Sequence, residues 1–150
     1  MAKRALLSAV IGSIALLGCA TPAPNQFAEE GTSLKCNGQN RCWVKTHVYN
    51  CGLTGCDISV NYGLVEVSPG ITDNITWELV DSLGYQFPND AVVFEDACRT
   101  IFAPCNRESS GVRFVCKNNH PSGKVQSCKY TIKATGPMNV HPLDPWVVNQ

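Results

Sequence analysis

The chain has 150 residues, with 12 Lys+Arg against 12 Asp+Glu, only 16 % charged residues, and nine Cys, nine Pro and 12 Gly. That length fits one domain. The balanced charge gives no basic face for phosphate contacts, so no nucleic-acid partner is expected, and the sparse mixed charge excludes a disordered acidic or basic tail.

Lys3 and Arg4 form a short positive start. Residues Ala5 to Leu17 then carry no charge and consist mostly of Ala, Leu, Ile and Val. The stretch is too short for a permanent membrane helix, which needs about 20 residues. It has the length of a signal-peptide core. Leu16-Leu17-Gly18-Cys19 closes it. This segment resembles the lipobox of bacterial lipoproteins: aliphatic residues, a small residue, then Cys. The resemblance implies that residues 1–18 are removed, that the Cys19 thiol carries a diacylglycerol, and that its new amino group is acylated, with palmitate a typical chain. Two or more acyl chains hold a protein stably on a bilayer, where a single one holds only marginally. Ala20 stands where an Asp would imply inner-membrane retention, so the resemblance implies the outer membrane of a Gram-negative envelope. The rivals are an ordinary secretory cut after Gly18-Cys19-Ala20 and a plain apolar helix of the fold.

From Cys19 to about Leu34 the chain reads as a lipidated Cys and flexible tether, with Thr21-Pro22-Ala23-Pro24 at its start and Glu29-Glu30-Gly31 later. Pro removes backbone donors and favours extended, solvated chain. The domain proper is expected over residues 35–150. Its eight cysteines are Cys36, Cys42, Cys51, Cys56, Cys98, Cys105, Cys116 and Cys128. An even count in an oxidising compartment predicts disulfides. A zinc site, which favours closely spaced Cys pairs, is approached only by Cys51-Gly52-Leu53-Thr54-Gly55-Cys56.

Period-2 alternation dominates this region and predicts strands. Trp43 to Tyr49 places Val44, Thr46 and Val48 on one face and Trp43, Lys45, His47 and Tyr49 on the other. Ile58, Val60, Tyr62 and Leu64 share a parity, and Val65 and Val67 take the opposite one. That switch beside Gly63 predicts a bulge or a change of sheet. Ile75, Trp77 and Leu79 form the next apolar row. Ala91 to Phe94 reads as a short strand, and Asp96 to Arg107 as an irregular loop carrying Cys98 and Cys105. Val112, Phe114 and Cys116 form one row, and Cys128, Tyr130, Ile132 and Ala134 another. The turn-forming cluster between them predicts a hairpin about Ser122, with Cys116 facing Cys128 and joined to it. Trp146 and Val148 are expected to dock as an edge strand. About seven short strands predict an all-β, antiparallel β-sandwich with several disulfides.

Val65-Glu66-Val67-Ser68-Pro69-Gly70, then Ile75-Thr76-Trp77-Glu78-Leu79, then a last hairpin, follow an order similar to that of cupredoxin-like and immunoglobulin-like sandwiches. The segment Pro142-Leu143-Asp144-Pro145-Trp146-Val147-Val148 resembles the end of uncharacterised bacterial proteins and implies no activity. A cupredoxin likeness would imply copper, which needs two His, a Cys thiolate and usually an axial Met. Cys116 and His120 are followed by Met138 only at a distance. Met138 and His141, with His47 and His120, would make at most an accessory site, so neither metal nor other cofactor is expected.

There is no G-x-S-x-G motif, and an even Cys set leaves no spare thiol for nucleophilic catalysis. Glu78, Asp81, Glu95 and Asp96 are the carboxylates available for acid–base work, against their plain reading as solvated charges. The stripe Trp43, Lys45, His47, Tyr49 is the candidate contact face, since aromatics with a cation suit sugar or protein contact. The expectation is a non-catalytic binding or structural lipoprotein, held to the membrane by its N-terminus and taking a protein or glycan ligand. The alternatives are a copper or metal carrier of the periplasm and an envelope enzyme or inhibitor of secreted enzymes.

Overall fold

The computed structural model describes residues 32–38, 42–71, 74–119 and 125–150. Cys19, the signal segment, the tether up to residue 31 and His120 lie outside the described residues.

The described chain is all-β, with ten strands in two five-stranded sheets and four disulfides. The strands are β1 (Ser33–Cys36), β2 (Cys42–Gly52), β3 (Gly55–Val60), β4 (Leu64–Val67), β5 (Ile75–Leu79), β6 (Val92–Phe94), β7 (Phe102–Arg107), β8 (Arg113–Asn118), β9 (Gln126–Ile132) and β10 (Trp146–Asn149). One sheet runs β1-β4-β10-β9-β6, the other β3-β2-β5-β8-β7. The sheets are mixed rather than purely antiparallel: β4 pairs parallel with both β1 and β10, and β2 pairs parallel with β5. Neighbours far apart in sequence thereby become adjacent in space. Ser33 and Leu34, expected at the end of the tether, belong to β1.

Alternation sets the inward face of most strands. Val44, Thr46 and Val48 of β2 are buried, and Trp43, Lys45, His47 and Tyr49 face outward. The parity switch at Gly63 marks a change of sheet, for β3 lies in one sheet and β4 in the other. Ile75, Trp77 and Leu79 of β5 meet Cys128, Tyr130 and Ile132 of β9 in one core cluster. At its centre the Trp77 Nε1–H donates to Tyr130 Oη at 3.1 Å, with ring centroids 5.2 Å apart and edge-on. Phe94 packs on Tyr130 at 5.5 Å and stacks on Phe102 at 4.2 Å. Burial and the hydrogen bond to the indole hold Trp77 in a single place, and burial pushes the Tyr130 hydroxyl well above its usual range.

The Cys116–Cys128 hairpin does not form. β8 pairs with β5 and β7, whereas β9 pairs with β10 and β6 in the opposite sheet. The two apolar rows do face one core, but from opposite sides of it. Parity alone cannot tell a hairpin from a crossing between sheets, because both bury the same residues. Cys116 instead faces Cys105 on β7 and is bonded to it, and Cys128 bonds Cys98. The remaining pairs are Cys36–Cys42 and Cys51–Cys56.

Two further expectations change. The stretch Asp96 to Arg107 holds a 3₁₀ turn at Asp96–Cys98 and the edge strand β7, not a loop throughout. A register shift between Phe102 and Cys105 accommodates Pro104, which has no N–H to give a ladder. At the C-terminus, β10 lies inside its sheet between β4 and β9, not at an edge. It turns Val147 and Asn149 inward and leaves Trp146 45 % exposed. The buried Asn149 is accommodated because its Oδ1 accepts from Asn118 Nδ2 at 3.1 Å.

Peptide mapping of the unreduced protein is therefore expected to yield a peptide linking Cys98 to Cys128 and another linking Cys105 to Cys116. A Cys116–Cys128 peptide from the native protein would contradict this topology.

Candidate functional site

β2 is the longest strand, and only one of its faces is needed for the core. The other carries exposed Lys45 and half-buried Trp43, His47 and Tyr49, beside the outward-pointing but largely covered Ser59 of β3 and Thr76 of β5. The ladder places Trp43 opposite Thr76, Lys45 opposite Glu78, His47 opposite Ser59 and Tyr49 opposite Asp57. Continuing through β5, Glu78 stands opposite Arg113 of β8. The Arg113 guanidinium lies 4.9 Å from the Trp43 ring centroid and 2.8 Å from Glu78 Oε1. Glu108 approaches the same guanidinium at 3.9 Å. Glu78, and then Glu108, keep Arg113 charged more firmly than an isolated arginine. The cation over the aromatic face, itself paired with Glu78, favours the orientation in which the Trp43 ring lies beneath Arg113. The rings of His47 and Tyr49 are parallel, 9° apart, with centroids 6.1 Å apart. The four residues of the predicted face thus share one surface. Arg113 and Glu78 complete it, and they lie on the polar parity of their strands in the sequence.

At the end of this face, Asp57 accepts from Asn50 Nδ2 at 2.8 Å and lies 3.2 Å from His141 Nδ1. Asn50 takes a left-handed backbone, φ 50°, which Asn tolerates better than most residues. The Asn50 hydrogen bond first, and the His141 hydrogen bond second, hold the Asp57 carboxyl below its ordinary range. His141 arrives from the segment before β10, where its N–H donates to Cys56 O and Asn139 O accepts from Cys56 N. This brings His141 to Asp57 from 84 positions away in the chain. Met138, which the sequence groups with His141, is partly exposed at 38 %. Among the described residues, no three His, Cys, Asp or Glu side chains are grouped to hold a metal.

The four candidate carboxylates occupy separate settings. Glu78 binds Arg113, Glu95 Oε1 accepts from Lys129 N at 3.2 Å, and Asp96 pairs with Arg99 at 3.2 Å. Asp81 occupies a left-handed turn position, φ 48°. On the opposite sheet an open groove is lined by Phe94, Glu95, Arg99, Lys129 and Asp144. Its charges are largely matched: Lys129 Nζ lies 3.1 Å from Asp144, and Arg99 Nε donates to Phe94 O at 3.2 Å.

No family model matches this chain, and no curated protein sequence matches it.

Three surface carboxyls are held below their ordinary range: Asp57 by Asn50 and then His141, Asp90 by Lys133, and Asp144 by Thr131 and then Lys129. A carboxyl with a depressed folded pKa stabilises the fold above its unfolded pKa, and that contribution is lost as pH falls through the folded value. Thermal stability is accordingly expected to fall as pH drops below the ordinary carboxylate range. In a carboxyl-carbon NMR titration, Asp57 should titrate below an unperturbed Asp, and Asn50→Ala should raise its midpoint. An Asp57 midpoint at or above the ordinary value would contradict this arrangement.

Proposed function

We propose that the protein is a lipid-anchored, non-catalytic binding or structural module of the bacterial cell envelope, with the outward face of β2 as its contact surface. The observation that carries the reading is the set Trp43, Arg113 and Glu78: an aromatic ring on an outer sheet face, fixed by a paired cation. A ring already held in place loses little conformational freedom when a ligand lands on it. Flat aromatic surfaces of this kind suit a sugar ring or an apolar protein side chain, and Lys45 and Glu78 offer polar contacts at its margin. The setting in the envelope rests on Leu16-Leu17-Gly18-Cys19, which resembles a lipobox. Four disulfides support an oxidising compartment. In this reading residues 1–18 are removed, Cys19 carries the acyl groups at the outer membrane, and the residues after it act as a tether.

The anchor is tested by labelling cells with palmitate and fractionating them. The native precursor is expected to incorporate label and sediment with membranes, and Cys19→Ala to do neither. A Cys19→Ala protein that still partitions with the membrane would overturn the lipidated reading.

A further inference from the structure

The four disulfides differ in how they meet solvent. Cys36, Cys42, Cys98, Cys128 and Cys116 are buried, and Cys105 is half-buried. Cys51 is the one exposed half-cystine among the described residues, and its partner Cys56 is fully buried. The pair closes the β2–β3 turn, where Leu53 stands fully exposed between the two cysteines.

The buried sulfur is fixed from several sides. Cys56 N donates to Asn139 O at 2.8 Å, and Cys56 O accepts from His141 N at 2.9 Å. Tyr85 Oη lies 3.0 Å from Cys56 Sγ and 3.5 Å from Cys51 Sγ. The Tyr85 ring lies directly against Gly136, where an added Cβ would fall 2.3 Å from it. A phenolic hydroxyl is thus held against a disulfide that is open to solvent on one side only.

We propose that Cys51–Cys56 is a thiol-exchange site, at which an incoming thiol is joined to Cys51 while the Tyr85 hydroxyl receives the departing Cys56 sulfur. The incoming thiolate, R–S⁻, attacks exposed Cys51 Sγ. The R–S–Sγ bond of a mixed disulfide forms and the Cys51–Cys56 bond breaks. Both electrons of that bond leave on Cys56, whose thiolate accepts the Tyr85 O–H. The attacking sulfur and Cys51 are now the disulfide, Cys56 is the reduced partner, and no external oxidant is needed. The reverse step, attack by Cys56 on Cys51, releases the thiol and restores the bond.

Access and leaving-group stabilisation govern the rate of such exchange: Cys51 is the exposed sulfur, and the Tyr85 hydroxyl offsets the burial that otherwise disfavours a Cys56 thiolate. Opening it also costs the fold little. It closes a loop of sequence separation 5, against 30 for Cys98–Cys128, and short loops contribute less stabilisation. The β2–β3 ladder from Thr46–Val60 to Tyr49–Asp57 holds the strands together without it. The inference goes beyond the contact-face reading and does not depend on lipidation: the surface takes a thiol-bearing molecule covalently and reversibly.

The test uses the purified full chain under native conditions. Reduced glutathione serves as the small-thiol probe, and a thioredoxin lacking its resolving cysteine as the protein-thiol probe. Samples are quenched in acid at intervals, unfolded, alkylated and mapped by peptide mass spectrometry. The expected product carries the probe on Cys51 and the alkyl group on Cys56, and it forms about tenfold or more faster than any change at the other three disulfides. A glutathione adduct identifies a small-thiol partner, and an adduct with the thioredoxin alone a protein thiol. Either supports the site. Tyr85→Phe keeps the ring against Gly136 and removes only the hydroxyl, and it is expected to slow adduct formation about threefold. First reaction at another pair, adducts on Cys56, no adduct from either probe, or equal rates in Tyr85→Phe would each overturn the proposal.

Discussion

The contact between Trp77 and Tyr130 joins the two sheets, and the rest of the molecule is arranged around it. Trp77 lies on β5, the middle strand of its sheet, and Tyr130 on β9 of the other. Each side chain is essentially fully buried, so each has one polar atom that must find a partner inside the core. They satisfy each other: the indole N–H donates and the phenol oxygen accepts, at 3.1 Å. An apolar core alone would tolerate several slides of one sheet over the other. A buried hydrogen bond between fixed rings is lost by such a slide, and leaving a buried donor unpaired costs about 1–3 kcal/mol. Phe94 and Phe102 extend the same aromatic cluster toward β6 and β7.

Once the sheets are aligned, the cross-links and the outer faces follow. Cys98–Cys128 secures the 3₁₀ turn after β6 to β9, and Cys105–Cys116 ties edge strand β7 to β8. Cys36–Cys42 secures the start of the fold, joining β1 of one sheet to β2 of the other. With the inner face of β2 committed to the core, its outer face is left to Trp43, Lys45, His47 and Tyr49. The same strand carries Cys51 just before the turn to β3. One strand therefore supplies both the proposed contact face and the proposed thiol-exchange site, at the two places where it is not needed for packing.

Much of this was legible in the sequence wherever one face of a strand is apolar and the other solvated. The alternation from Trp43 to Tyr49 and the parity switch at Gly63 both reflect local burial, which the residues record directly. Strand partners are not recorded in that way. Cys116 and Cys128 sit on matching apolar rows, yet the rows belong to opposite sheets, because a crossing and a hairpin bury the same side chains. The prolines before β10 and the apolar Trp146 and Val148 predict an edge strand, whereas its place inside the sheet buries Asn149 against Asn118, 31 positions away, a partner that local sequence does not record. Of the candidate site, the β2 stripe was visible as a pattern. Arg113 over Trp43, His141 beside Asp57 and Tyr85 beside Cys56 were not, since each pair is assembled by distant strands or turns.

The claim that the buried Trp77–Tyr130 pair holds the sheets together has a direct measurement: hydrogen exchange of the three tryptophan indoles, followed by NMR in native conditions. If the account is right, the Trp77 indole proton exchanges only through global unfolding, at a rate that matches the unfolding free energy, while Trp43 and the 45 % exposed Trp146 exchange far sooner. A Trp77 indole proton that exchanges as fast as that of Trp146, in a protein that is otherwise folded, would contradict it.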